Sequence, residues 1–118
     1  MDELDNKNSG DTVPILSVSD FARASALVLA RIEQGCVDAD IDADFVSDGV
    51  LEIEFDTGGQ IVVNRHEVSR EIWVAGQTGA YHFRWNGSGW QDTRSGDELY
   101  AVVTRLVSQI AGRTIDLS

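Results

Sequence analysis

The hydrophobic period of this chain switches from helical to extended at Gly35 and back to helical after Gly96, and that double switch limits it to one kind of architecture. Upstream, Ala22, Ser25, Leu29 and Ile32 share one stripe with Phe21 and Val28 beside it. This is the spacing of an amphipathic helix from Ser19 to about Gln34. Ser17 or Ser19 can cap it, Asp20 suits the positive end of its dipole, and Gly35 reads as its C-terminal stop.

Between the switches the period is two. In the segment 40–45 the apolar residues Ile41, Ala43 and Phe45 face one way and Asp40, Asp42 and Asp44 the other. Ser47-Asp48-Gly49 signals a turn, after which Leu51, Ile53 and Phe55 alternate with Glu52, Glu54 and Asp56. Thr57-Gly58-Gly59 turns into a strand over 60–65, and short strands follow at 71–75, 80–85 and 89–93. Helical spacing returns with Leu99, Val102, Val103, Leu106, Val107 and Ile110, closed by Gly112. Half-buried strands need a cover on their apolar face, and two amphipathic helices supply it. The expected fold is α+β, a two-layer sandwich in which a five- to six-stranded antiparallel sheet is covered on one face by N- and C-terminal helices. Residues 1–16, polar and holding the only proline, read as a flexible tail, and 17–118 as a single domain.

Composition narrows the function classes. Nine Lys or Arg against twenty Asp or Glu give a net charge of −11, so no basic stripe exists to track phosphates and nucleic acid is not expected as a partner. One cysteine, Cys36, excludes an intramolecular disulfide and Cys-rich metal motifs. No apolar run approaches the ~20 residues of a membrane span. The acidic start Met1-Asp2-Glu3 has no apolar or Arg-rich leader, so the expected location is cytoplasmic.

The acids are unevenly placed. Between Arg31 and Arg65 there is no Lys, Arg or His, and the stretch holds nine carboxylates. Asp38-x-Asp40-x-Asp42 imitates the opening of an EF-hand loop, but Ala43 stands where Gly is required and Gly49 where the bidentate Glu belongs. A strand accounts for it better, with alternate aspartates on one face and Glu52 and Glu54 on the next strand. Such a face is either a charged edge that blocks strand addition or a site for cations or a basic partner. Lysines would blunt an edge equally well without building a one-sign field, which favours the second. Carboxylate oxygens are hard ligands suited to Fe, Mn, Ca or Mg, and a solvated ridge of them binds weakly and with little selectivity.

Catalytic signatures are missing. Neither His66 nor His82 stands at a triad spacing or in a zinc-protease motif, Cys36 follows a helix C-terminus that disfavours a thiolate, and no glycine pattern cradles phosphate. The chain is therefore not expected to be an enzyme. Trp73 shares the outward parity with Glu71, since Ile72 and Val74 take the core parity, and an exposed tryptophan is a frequent partner anchor. The competing reading packs it beneath a loop or the N-terminal tail. Tyr81, Phe83 and Trp85 read as core.

In order and spacing, the acidic Asp-Ile-Asp strand, Asn64-Arg65, Ile72-Trp73-Val74-Ala75, Tyr81-His82-Phe83 and Arg94-Ser95-Gly96 resemble the frataxin family, most closely its bacterial, CyaY-type members, over about residues 20–112. The resemblance implies a helix–sheet–helix fold and an iron-binding regulator or iron donor of iron–sulfur cluster assembly. It also implies an acidic ridge that binds Fe²⁺ or Fe³⁺ weakly and docks on a cysteine desulfurase, and a sheet face that meets the scaffold protein. Glu33, Asp38, Asp40, Asp42 and Asp44 match ridge positions, and Glu52 and Glu54 extend the ridge across the hairpin. Asn64 and Trp73 match the sheet face, which with His66 and Glu71 forms the expected partner-binding site. His66 stands where the family usually has Gln, and Val68 where it has Pro. A monomer is expected. Two further readings are an interaction module for which iron is incidental, and a ferroxidase, disfavoured because no His/Glu pairs face one another on helices.

Overall fold

The computed structural model describes residues 15–117. Helix α1 (Val18–Asp38) begins where Ser17 Oγ accepts the Asp20 backbone N–H at 3.1 Å. Phe21, Ser25, Val28, Leu29, Ile32 and Cys36 form its buried stripe. Ser25 is tolerated there because its hydroxyl donates to the Phe21 carbonyl at 2.7 Å.

The helix does not stop at Gly35. It continues to Asp38, and Gly35 instead permits close packing, because a Cβ there would lie 2.5 Å from Leu117 Cδ2. The stop comes at Ala39 and Asp40. Asp40 adopts φ 61°, its N–H donates to the Val37 carbonyl at 3.0 Å, and the Ile41 N–H donates to the Cys36 carbonyl at 2.8 Å. This is a Schellman motif with aspartate in the left-handed position that glycine usually fills. Cys36 therefore lies inside the last turn and is buried, rather than beyond the helix end.

Strands β1 (Asp42–Ser47), β2 (Val50–Glu54), β3 (Gln60–His66), β4 (Glu71–Gly76), β5 (Gly79–Trp85) and β6 (Trp90–Asp92) form one antiparallel meander in chain order. Helix α2 (Leu99–Ala111) follows, capped by the Glu98 carboxylate, which accepts the N–H groups of Tyr100 and Ala101, and closed by Gly112 at φ 74°. Ala43, Leu51, Ile53, Ile61, Val63, Ile72, Val74 and Phe83 meet the buried stripes of both helices in a single core. The expected α+β sandwich is thus the observed one. Its margins differ from expectation. Phe45 has the core parity but is 44% exposed, because β1 is an edge strand whose register slips between Phe45 and Ser47. Of Tyr81, Phe83 and Trp85 only Phe83 is fully buried, while Trp90 joins the core edge-on to Phe21 at 6.1 Å.

Of the expected tail 1–16, only Ile15 and Leu16 fall within the described residues. Leu16 packs on the core and its carbonyl accepts Arg70 Nε at 3.2 Å, so it belongs to the domain. At the other end, the chain after Gly112 folds back onto α2. Ser108 Oγ donates to the Ile115 carbonyl and accepts the Ile115 N–H, each at 3.0 Å, and Thr104 Oγ1 accepts the Leu117 N–H at 3.0 Å. Ile115 and Leu117 are buried. Among the described residues no helix is long and apolar enough to cross a membrane.

Candidate functional site

The strand register builds the ridge. Asp42 stands directly opposite Glu54 and Asp44 opposite Glu52, with the buried pair Ala43 and Ile53 between them. Parity sends the carboxylates to the uncovered face of the sheet, and Cβ atoms of such pairs lie about 5 Å apart. Asp42, Asp44 and Glu54 are exposed and Glu52 is half-buried. Asp38 and Asp40 sit at the end of α1, and Asp40 belongs to the Schellman turn rather than to β1. Glu33 lies one helical turn before Val37, half-buried.

Space supplies partners that the linear sequence hides. Arg65 holds Asp48 at 2.6 Å, and Gln34 donates to Asp38 at 2.8 Å. Arg113, from beyond α2, donates to the Ala39 carbonyl at 2.5 Å and lines a cleft of about 70 Å³ together with Asp40, Asp42, Glu54 and Asp56. Most of the ridge nonetheless stays open. Among the described residues no three acidic, imidazole or thiol side chains converge as a ready-made metal cage. The donor set fits hard cations held loosely through water and one or two carboxylates, not a closed structural centre.

The second surface lies on the same face of the sheet, further along. Asn64 stands opposite Trp73 and Trp73 opposite His82, while Glu71 lies between His66 and Arg84 in the next row. Trp73 is half-buried rather than free, because His66 and His82 stack on its two sides, each with ring centroids 4.1 Å away and nearly parallel planes. The Asn64 amide is turned to the Arg65 carbonyl at 3.2 Å.

Glu71 departs from its expected role as a contact residue. Parity puts it on the uncovered face, yet it is only 6% exposed, because the longer side chains of its neighbours close over it. Its Oε1 accepts the Trp73 indole N–H at 2.9 Å and its Oε2 accepts Arg84 Nη2 at 2.5 Å. Burial alone would raise its pKa. The hydrogen bonds from Trp73 and Arg84, with the Arg84 charge and His82, outweigh that and hold it below the usual carboxylate value. Asp92 behaves alike, buried but lowered by bonds from the Ser95 N–H and hydroxyl, both at 2.9 Å, and from the His82 N–H at 3.2 Å. The Cys36 thiol is pushed up to about 11 by burial, which leaves it no nucleophilic role at neutral pH. Sequence reading missed His82 and Arg84 as part of this surface. Their outward parity beside Trp73 was the available signal.

Residues 15–113 match the family model of the Frataxin-like domain. The iron–sulfur cluster assembly protein CyaY of Dechloromonas aromatica is 46% identical over 102 residues, covering 84% of this chain and 96% of the relative. The protein of the same name from Paraburkholderia phymatum is 39% identical over 104 residues, covering 87% and 99%. Among solved structures, the frataxin of Psychromonas ingrahamii superposes with a TM-score of 0.80 at 25% identity, over 87% of this chain and 99% of that one. A trimeric yeast frataxin in a ferrous complex shares the fold, with a TM-score of 0.57 at 21% identity over 93% and 92% of the two chains. A family match over most of the chain, joined to relatives this similar across nearly their whole length, makes this protein a member of the frataxin family.

Proposed function

We propose that this protein works in iron–sulfur cluster assembly, presenting iron on its acidic ridge and docking there on a cysteine desulfurase, with the Trp73 face turned to the scaffold protein. The observation that carries the reading is the register: two carboxylates on β1 directly oppose two on β2, on the sheet face that neither described helix covers. Like charges so placed lower stability, and bound cations or a basic surface offset that cost. Iron is cargo here. Oxygen donors without a closed cage bind it weakly and release it readily, which suits delivery. The protein supplies no chemistry of its own in this role and acts in the cytoplasm.

An anaerobic Fe²⁺ titration followed by amide NMR tests the proposal, with responses expected over residues 38–44 and 52–54. Shifts centred on His66 and His82 would sink the ridge assignment. The lack of three converging ligands among the described residues favours a second reading, in which the carboxylates bind only a basic protein. Desulfurase affinity measured with and without iron at constant ionic strength separates the two, since only the first makes affinity depend on iron.

A further inference from the structure

The uncovered face holds a buried carboxylate that a merely exposed tryptophan does not require. Glu71 has both oxygens engaged, Oε1 by the Trp73 indole N–H and Oε2 by Arg84, and His82 Nδ1 lies 3.9 Å from that same Oε1. At that distance a neutral imidazole makes no bond, whereas a protonated one is a charged donor within a small side-chain movement of the oxygen. The indole is meanwhile gripped from both faces. His66 is itself fixed, its Nδ1 hydrogen-bonded to Ser69 Oγ at 2.8 Å, so Trp73 turns only if its carboxylate anchor or its His82 neighbour moves. The charged and titratable groups around the stack are His66 on β3, Glu71 on β4, Arg84 on β5 and Asp92 on β6, whose Oδ1 accepts the His82 backbone N–H. Arg84 and Glu71 cancel, so with Asp92 these groups sum to one negative charge while the imidazoles are neutral, and each proton adds one positive charge.

We propose that Glu71 is the positioning residue of the Trp73 docking ledge, and that protonation of His82 competes for Glu71 Oε1 and so changes the pose in which Trp73 is presented. The consequence for docking rests on the reading of Trp73 as a partner contact. The positioning itself does not, and is measured on the free protein.

The experiment follows the Trp73 indole N–H cross-peak by NMR in the full chain as pH falls from about 8 to about 5.5, across the range in which histidines change charge. Trp73→Phe identifies the peak among the three indoles. The expected result is a Trp73 indole shift, and a loss of its protection from solvent exchange, that track His82 while the Trp85 and Trp90 peaks do not. In Glu71→Gln, which keeps an oxygen acceptor but removes the charge, and in His82→Asn, that pH dependence is lost. A flat wild-type profile overturns the proposal. So does a shift that persists in Glu71→Gln, since it is then only the field of the imidazolium. Persistence in His82→Asn does the same and remains decisive should Glu71→Gln fail to fold. Scaffold affinity that ignores Trp73→Phe would strike the docking reading alone and leave the positioning result intact.

Discussion

Replacing Glu52 by lysine turns one repulsive cross-strand pair into an attractive one, and its effect can be worked from the register. Glu52 faces Asp44 directly. With charges about 5 Å apart, Coulomb's law in bulk water gives about 0.8 kcal/mol of repulsion. A Debye length of about 10 Å at 0.1 M salt reduces that to about 0.5 kcal/mol. Exposure of Asp44 keeps the effect near this solvent value, in line with the small worth of surface ion pairs. Glu52→Gln should therefore stabilise by about 0.5 kcal/mol and Glu52→Lys by about 1 kcal/mol. Urea midpoints at low and high salt read both, with Asp44→Asn closing a double-mutant cycle. The gain should shrink as salt rises and vanish when Asp44 is already neutral. A Glu52→Lys protein that is no more stable than wild type at low salt, or whose gain ignores salt, refutes the repulsive-ridge account. The same substitution should weaken Fe²⁺ binding, the expected opposition of stability and function at a charged site.

Other consequences are equally direct. Asp40→Gly removes a left-handed aspartate from the Schellman turn and should raise stability by about 0.5–1 kcal/mol in denaturant melts. Glu71 and Asp92 have lowered native pKa values, so the unfolded chain takes up protons first. Their contribution is present above the usual carboxylate values and is lost as pH falls through and below them. Acid melts should show this limb, and Glu71→Gln should flatten it. Gly35→Ala gains helix propensity of about 1 kcal/mol but drives a methyl into Leu117, an overpacking worth about 1–3 kcal/mol. It should destabilise the wild type yet stabilise a Leu117→Ala background, which a thermal-melt cycle checks. Finally, Cys36 should resist an aromatic disulfide reagent at pH 8 until the protein unfolds, because burial keeps it a thiol.

How far the sequence disclosed all this follows from the range of each interaction. Alternation is a local signal, so the Asp42–Glu54 hairpin and its outward carboxylates could be read from the period alone. Gly35 could not, because a glycine that ends a helix and a glycine that admits a neighbour look alike until Leu117, far along the chain, is placed beside it. Arg113 is hidden among the acids for the same reason, reaching Ala39 from beyond the second helix. Glu71 shows a subtler limit. Parity assigned it the correct face, but burial on that face depends on the lengths of Trp73 and Arg84 and on the bonds they make to it, and no period encodes that. The glycine-bounded helix α2 was legible, whereas the return of Ile115 and Leu117 onto it was not, since two apolar residues are too few to show a pattern.

The meander has a kinetic consequence. Among the described residues every strand ladder joins neighbours in the chain, so the sheet can form from hairpins, each closing a short loop at small entropic cost. The two helices that complete the core instead come from opposite ends of the described chain, Val18–Asp38 and Leu99–Ala111, with all six strands between them. The largest loop-closure cost therefore falls on docking the helices, not on building the sheet. Until that docking occurs, one face of a finished sheet stands bare and apolar while the β1–β2 end of the other already repels its own kind. The acidic face thus acts before any partner is met, keeping half-folded copies apart during the interval when their cores are open.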